Sequence, residues 1–209
     1  MREIVILGGG RYAAPMIELA IACGFTPTGI YVFENARREE NILGIPIRGT
    51  FTELYDTNIT GMNVAIAIGN VNYRHNHFER IKNAGGLLPN LVHPSAYISN
   101  SAIIGEGTYI QPHAIIWSQT LIGDSVVISP SSMVSHHSVV GSGCLVSTLS
   151  SIGTGVTIGE KVFVGMGSTI MTGVKMIGSN SVIGAGSVVI HDVDAGTVVA
   201  GVPAKTLKK

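Results

Sequence analysis

Two adjacent histidines, His136 and His137, are the residues of this chain best suited to moving a proton near neutral pH. An imidazole changes its charge in that range and acts as a general base when it can reach the reacting proton. Ser118 and Thr154 lie at equal intervals before and after His136. On this spacing alone, an exposed histidine without a role in catalysis remains the favoured interpretation.

A second group of candidates follows the first apolar segment. Gly8, Gly10 and Ala13 match the G-x-G-x-x-G/A spacing that lets backbone N–H groups approach a diphosphate at a helix N-terminus. Glu34 and Asn35 follow the next apolar segment and could bond a ribose or a base. A segment of about 90 residues is short for a dinucleotide fold, so a smaller nucleoside diphosphate ligand fits better. A tight turn with solvated polar residues explains each residue equally well when it is taken singly.

The elements that must hold the two histidines follow a period of six. From Ile98 onward an aliphatic residue recurs at every sixth position. A strand has a period of two and a helix of 3.6, so this pattern predicts a hexapeptide-repeat parallel β-helix. A one-residue insertion is expected near residues 175–177. The predicted inward positions are Ile98, Ile104, Ile110, Ile116, Ile122, Ile128, Val134, Val140, Val146, Ile152, Ile158, Val164, Ile170 and Met176, followed by Ile177, Ile183 and Val189.

The N-terminal segment instead alternates short apolar strands with helices, which predicts a small parallel, Rossmann-like α/β sheet. Ligands bind such sheets at the carboxyl ends of the strands, where residues 8–12, 33–35 and 69–70 are expected to converge. The predicted domains are therefore an α/β domain over residues 1–90 and a β-helix with a C-terminal cap over residues 91–209.

Composition narrows the classes of partner. Lys and Arg number 13, as do Asp and Glu, so no nucleic-acid partner is indicated. Only 12% of residues are charged, which favours burial of a rod face by oligomerisation. The two cysteines give no disulfide framework, and Cys144 is expected in the core. No apolar run is long enough to span a membrane and no leader is recognised, so a cytoplasmic protein without membrane insertion is expected.

A zinc site of the γ-carbonic anhydrase kind is not favoured. Zinc needs three converging protein ligands, whereas the adjacent side chains of His136 and His137 are expected to diverge. His113 is expected at a different corner of the rod. The remaining histidines, His75, His77, His93 and His191, are expected at the surface or at the exit of the rod. We therefore expect no metal.

Over essentially its whole length the chain resembles the NeuD/PglD family of sugar acyltransferases. The matching motifs are residues 6–10 (ILGGG), 65–70 (AIAIGN), 91–96 (LVHPSA), the hexad repeats, the histidine coil at 134–141 and residues 200–205 (AGVPAK). The resemblance implies a homotrimer of left-handed β-helices with acetyl-CoA between neighbouring rods, and an N-terminal domain that binds a nucleotide-linked amino sugar.

The resemblance also implies roles for individual residues. It makes His136 the catalytic base, with His137 beside it. Sugar-nucleotide contacts are implied for Gly10, Arg11, Tyr12, Glu34, Asn35 and Gly69, and acetyl-CoA contacts for Leu145, Met166 and Ala185.

This chain departs from the family pattern at several of these positions. His137 stands where the family usually has an acid that orients the base. Leu145 replaces a second histidine near the cofactor, and Arg11-Tyr12 replaces Gly-His. Glu34-Asn35 replaces a pair of acids. These changes are expected to leave the fold intact. They bear on the identity of the acceptor and on the rate of the reaction.

The resemblance predicts an acetyl-CoA-dependent N-acetyltransferase for a UDP- or dTDP-linked 4-amino-4,6-dideoxyhexose, in surface glycan or glycoprotein sugar biosynthesis. One alternative is O-acetylation of a sialic-acid-type acceptor. The other is a non-catalytic nucleotide-sugar-binding protein on the same scaffold.

Overall fold

A computed structural model describes residues 2–34 and 40–207 of the chain. The chain divides into two compact units, Met1–Leu91 and Val92–Lys209, and each has its own hydrophobic cluster. Among the helices in the described ranges, none is long and apolar enough to cross a membrane.

The N-terminal unit is built on a five-stranded sheet. Its elements are β1 (Arg2–Leu7), α1 (Ala13–Ala22), β2 (Phe25–Val32), β3 (Asn41–Ile42), β4 (Ile45–Thr50), α2 (Phe51–Tyr55), β5 (Val64–Ile66) and α3 (Val71–Asn83). The strand order is β3-β4-β2-β1-β5, and all pairs except β3–β4 are parallel. The chain leaves β1 toward β2 and later returns to β5 on the other side of β1. The carboxyl end of β1 is therefore a topological switch point, where α/β sheets bind ligands.

The second unit is a rod of short parallel strands. They are β6 (Leu91–Val92), β7 (Tyr97–Ile98), β8 (Ile103–Ile104), β9 (Tyr109–Ile110), β10 (Ile115–Ile116), β11 (Leu121–Ile122), β12 (Val127–Ile128), β13 (Met133–Val134), β14 (Val139–Val140), β15 (Leu145–Val146), β16 (Ser151–Ile152), β17 (Thr157–Ile158), β18 (Phe163–Val164), β19 (Thr169–Ile170), β20 (Met176–Ile177), β21 (Val182–Ile183) and β22 (Val188–Val189). At the end, β23 (Val198–Gly201) pairs with β21, and β24 (Ala204–Thr206) turns back antiparallel on β23.

Three sheets form the sides of this rod. Face A has the order β24-β23-β21-β18-β15-β12-β9-β6, face B has β22-β19-β16-β13-β10-β7, and face C has β20-β17-β14-β11-β8. The chain visits faces A, B and C in turn, so each coil contributes one strand to each face. The second residue of each strand points inward, and Val134, Val140 and Val146 are fully buried. The hexad prediction of a parallel β-helix is therefore confirmed.

The predicted insertion lies between β19 and β20. Met176, one of the predicted inward residues, is 44% exposed, so that prediction is wrong at this position. Ile177 is buried and pairs with Ile158, because one extra residue shifts the register by one. The Asp192 carboxylate accepts from the backbone N–H groups of Lys175 at 2.7 Å and Met176 at 3.1 Å. These bonds, led by that from Lys175, lower the pKa of Asp192 and fix the irregular corner.

Candidate functional site

The histidine pair lies at the corner where the chain passes from face B to face C. His137 adopts a left-handed backbone conformation, with φ of 59°. Its N–H donates to the carbonyl of Ser118, and the N–H of Gly155 donates to the carbonyl of His136. The corner is thus held by the coils on both sides. Both side chains are exposed.

The two imidazoles contact each other, which corrects the expectation that they diverge. Their Nδ1 atoms are 2.8 Å apart, and the ring planes lie at 82°. The left-handed conformation of His137 turns its side chain back toward its neighbour, which sequence adjacency alone does not reveal. One hydrogen must lie between the two Nδ1 atoms. When His136 carries it, the Nε2 atom of His136 is an acceptor and can take a proton.

Thr154 occupies the equivalent position in the next coil. Its hydroxyl lies 3.4 Å from Nε2 of His136, the atom that faces away from His137. The N–H of Thr154 donates to the Thr172 hydroxyl at 3.2 Å. The column of corner residues that the hexad spacing predicted is therefore present, and it places a hydroxyl next to the imidazole.

His113 lies at another corner, after β9 on face A, and is apart from the pair in the rod. Within the described residues, no three His, Cys, Asp or Glu side chains are grouped so that they could hold a metal ion. Cys144 is fully buried, and its thiol donates to the carbonyl of Gly159 at 2.9 Å. It belongs to the core, as predicted, and is not exposed for nucleophilic chemistry.

The three residues expected at acetyl-CoA lie along face A and its edge. Leu145 is the outward residue of β15, in line with Val127 and Phe163. Met166 is 55% exposed at the corner from face A to face B. Ala185 follows it one coil later, where the N–H of Gly186 donates to the carbonyl of Met166. Met166 and Ala185 share the edge between faces A and B and Leu145 lies on face A, whereas His136 lies at the edge between faces B and C.

The glycine-rich loop after β1 is held between the ends of β2 and β5. A Cβ on Gly9 would collide with Cγ1 of Val32, and one on Gly8, whose φ is +123°, would lie 2.6 Å from the carbonyl oxygen of Ala67. Only glycine allows both approaches. Helix α1 then begins at Ala13, and its N-cap residue, Tyr12, makes no side-chain capping hydrogen bond. The expected contacts Gly10 and Arg11 are exposed in this loop, and Tyr12 is half-buried.

Glu34, expected at the ribose or base, bonds to α2 in this structure. Its Oε1 accepts from the Thr52 hydroxyl at 2.7 Å and the Thr52 N–H at 2.9 Å. The pKa of Glu34 is lowered, chiefly by the hydroxyl of Thr52. Asn35 lies outside the described residues. Gly69 is exposed and precedes Asn70, whose side chain caps α3.

Sequence reasoning missed an aromatic cluster made of Phe33, Phe51, Tyr55, Tyr73 and His77. His77 was expected at the surface, but its ring is half-buried and its Nδ1 lies 2.7 Å from the Tyr55 hydroxyl. Burial, followed by the charge of Arg80, lowers the pKa of His77, and burial raises the pKa of Tyr55 to about 12. The sequence did contain a sign of α2, the helix that carries Phe51 and Tyr55. Thr50 and Glu53 form a T-x-x-E capping box that marks the start of this helix.

A hexapeptide-repeat rod preceded by a small Rossmann-like domain defines a class of acyltransferase, and comparison with known proteins supports that assignment. The family model described as the PglD N-terminal domain matches residues 3–81. PerB from Caulobacter crescentus, solved with CoA and GDP-perosamine, is 32% identical with a TM-score of 0.91; the match covers 100% of this chain and 98% of PerB. The acetyltransferase domain of PglB from Neisseria gonorrhoeae is 30% identical with a TM-score of 0.91, over 99% of this chain and 100% of that domain.

The chain belongs to the NeuD/PglD family of sugar acyltransferases. Its fold class, an α/β N-terminal domain followed by a left-handed parallel β-helix, is confirmed. A shorter match of 38 residues, 63% identical, links it to a tetrahydropyridine-2,6-dicarboxylate N-acetyltransferase of Clostridium perfringens. That match covers 18% of this chain and 16% of the relative.

Proposed function

We propose that this protein transfers the acetyl group of acetyl-CoA to the amino group of a nucleotide-linked amino sugar. The observation that carries the proposal is the His136 corner, placed on a rod that matches PerB over its whole length. PerB is a perosamine N-acetyltransferase solved with CoA and GDP-perosamine. The PglB domain has been solved with acetyl coenzyme A.

The acceptor that we propose is a 4-amino-4,6-dideoxyhexose carried on UDP or dTDP, used in surface glycan or glycoprotein biosynthesis. The N-terminal domain, over residues 1–90, would bind the nucleotide through Gly10, Arg11, Tyr12, Glu34, Asn35 and Gly69. The β-helix, over residues 91–209, would carry the reaction. Because PerB holds a GDP-linked sugar, GDP is the first competing nucleotide to test.

The proposed reaction is a direct transfer without an acyl-enzyme. The sugar amine attacks the thioester carbonyl, and Nε2 of His136 accepts the proton that the nitrogen loses. The C–S bond then breaks, the amide forms, and the proton passes to the departing sulfur of CoA. Cys144 is buried in the core, so its thiol is not available to form an acyl-enzyme.

The oxyanion of the tetrahedral intermediate needs a donor next to the base. We assign this role to the backbone N–H of Thr154, whose side chain lies beside Nε2 of His136. That N–H donates to the Thr172 hydroxyl in the absence of substrate. The negatively charged oxygen is a stronger acceptor than a neutral hydroxyl and would displace it.

The corner geometry favours a homotrimer. Leu145, Met166 and Ala185 lie along face A and its edge with face B, whereas His136 lies at the edge between faces B and C. The two edges of one rod point in different directions. A groove between neighbouring rods would bring the first edge of one copy to the second edge of another. A closed ring gives every copy the same contacts, and the number of three is what the family resemblance implies.

The test is release of CoA thiol from acetyl-CoA with a panel of UDP-, dTDP- and GDP-linked 4-amino-6-deoxysugars. His136→Asn should lose on the order of 10²–10⁴-fold in rate, the usual contribution of a general base. His113→Asn is the matched control, since it changes an exposed histidine at another corner, and it should keep the wild-type rate.

Other outcomes separate the alternatives. Turnover only with a hydroxyl acceptor would establish O-acetylation. Binding of both ligands without any CoA release would favour a non-catalytic protein, for which Leu145 and His137 are the motivating departures from the family. An unchanged rate in His136→Asn would contradict the assignment of the base.

A further inference from the structure

We propose that Phe33 and Tyr73 form an aromatic platform on which the nucleobase of the sugar nucleotide stacks. The inference rests on the proposed function for the presence of a nucleotide substrate. The inference names the side chains on which the base would stack, and neither of them belongs to the glycine-rich loop.

Both rings are open to solvent although they are large and apolar. Phe33 is 44% exposed and Tyr73 is 58% exposed. Their centroids are 6.5 Å apart with the planes at 80°, so the rings contact each other edge to face and a base that stacks on one ring would meet the edge of the other. Surface aromatic residues in contact with each other at a sheet end favour a planar ligand, because burying them recovers hydrophobic free energy and adds ring stacking.

The two rings follow the strands on either side of β1: Phe33 comes directly after β2, and Tyr73 lies in α3, the helix that follows β5. Phe33 directly follows Val32, the last residue of β2, against which Gly9 packs. Tyr73 lies in the first turn of α3, where its N–H donates to the capping side chain of Asn70. In the sheet, β1 lies between β2 and β5. A diphosphate at the loop would therefore have this platform beside it, at the switch point.

The Phe33 side of the platform is packed against a buried ring without any ligand. The Phe33 ring contacts Phe51 at a centroid distance of 4.3 Å, and Phe51 is only 4% exposed. Phe51 in turn contacts His77 edge to face at 5.0 Å. His77 is itself held by the Tyr55 hydroxyl. A preorganised surface loses little conformational entropy on binding, so more of the stacking free energy remains as affinity.

Stacking on aromatic side chains tolerates any base, since every base has a π-face. The platform should therefore bind pyrimidine and purine nucleotides alike, and removing both rings should weaken binding by about 10- to 100-fold. Selection among bases would then depend on polar groups at the rim, not on the rings.

The experiment measures calorimetric binding of UDP, dTDP, GDP and inorganic pyrophosphate to the full chain. The double variant Phe33→Leu/Tyr73→Leu should lose affinity for all three nucleotides and keep that for pyrophosphate, which has no base. The pair Phe33→Tyr and Tyr73→Phe retains both rings and should bind as wild type does. Tyr97→Leu, which removes a ring that is 57% exposed on the rod, is the control and should change nothing.

Unchanged nucleotide affinity in the leucine double variant would overturn the platform. An equal loss for pyrophosphate and nucleotides would also overturn it, because the rings would then support the loop and not the base. The wild type could transfer acetyl groups in a His136-dependent way while the double variant keeps the same KM for the sugar nucleotide. That result would support the proposed function and contradict the platform. Failure of the wild type to bind any nucleotide would overturn both.

Discussion

The proton between His136 and His137 can be placed in two ways, and only one makes Nε2 of His136 the acceptor. With the hydrogen on Nδ1 of His136, its Nε2 accepts; with the hydrogen on Nδ1 of His137, Nε2 of His136 carries an N–H and cannot accept. The 2.8 Å contact allows both arrangements. An acid in place of His137 can only accept when ionised, so it would select the first arrangement and also stabilise the charged imidazole.

His137→Asp should therefore raise kcat, by about 2- to 10-fold, a fraction of the full general-base contribution. Aspartate also tolerates the left-handed backbone that His137 adopts. His137→Asn accepts the same hydrogen bond without a charge, so the difference between the two variants separates orientation from charge stabilisation. Steady-state CoA release measures both. A slower Asp variant would show that the histidine pair is itself the better catalyst.

Spacing revealed part of this site and not the rest. The hexad count places Cys144 in the core and sets Thr154 one coil from His136, because inward and outward positions repeat without drift. The contact between the two imidazoles depends on a left-handed residue at the corner. The type of residue at that position does not report the conformation, since the equivalent position is filled elsewhere by Lys161 and by Gly155; only the six-residue spacing of the left-handed residues marks it.

At the scale of elements, α2 and α3 enclose His77, and its pKa is lowered in the folded state. His77 faces Phe51, Tyr55, Arg80 and Glu34, and burial with the charge of Arg80 outweighs the opposite effect of Glu34 on its pKa. The unfolded chain binds a proton there as pH falls through the ordinary value of 6.5, and the folded chain does not. Acidification below that value must therefore favour unfolding until the lowered pKa is passed.

The urea midpoint of the full chain should accordingly fall between pH 7 and pH 5.5, and His77→Gln should show a smaller fall. Glu34 does not account for this fall in stability. A carboxylate with a lowered pKa contributes fully to stability above its ordinary pKa of 4.5 and loses that contribution only as the pH falls below it. His191→Gln, which removes an exposed histidine of the rod, is the control. Equal pH dependence in wild type and His77→Gln would contradict the argument.

The two units were not equally accessible to prediction. In the rod, each strand buries one aliphatic residue, so a single rule applies over many coils, and it failed only at Met176, where an inserted residue moved the register. In the sheet, β4 shows only partly buried apolar residues, Ile45 and Ile47, and α2 has five residues. Such short and half-buried elements depend on tertiary contacts more than on their own pattern, which is why the aromatic cluster was missed.

For the whole molecule, the separation of the two edges of the rod determines whether activity is expected to depend on assembly. If His136 and the acetyl-CoA contacts lay on one edge, each copy would carry a complete site and assembly would be irrelevant to activity. His136 and the proposed acetyl-CoA contacts lie on different parts of the rod, so under the proposed assignment a complete site would require two copies of the chain. Assembly through exposed apolar residues of the rod, such as Trp117 and Leu121, is compatible with the low charge content of the sequence.

Co-expression of two inactive variants tests this arrangement. His136→Asn removes the base, and Met166→Arg places a charge at the edge proposed for acetyl-CoA; each alone should be inactive. In every trimer that contains both variants, about one site in three combines an intact base from one copy with an intact edge from another. Activity of the mixed trimers should therefore return to about a third of wild type. Mixed trimers purified through a different tag on each variant provide the measurement. Complete inactivity in these trimers would place both residues in one copy's site and contradict the proposed groove.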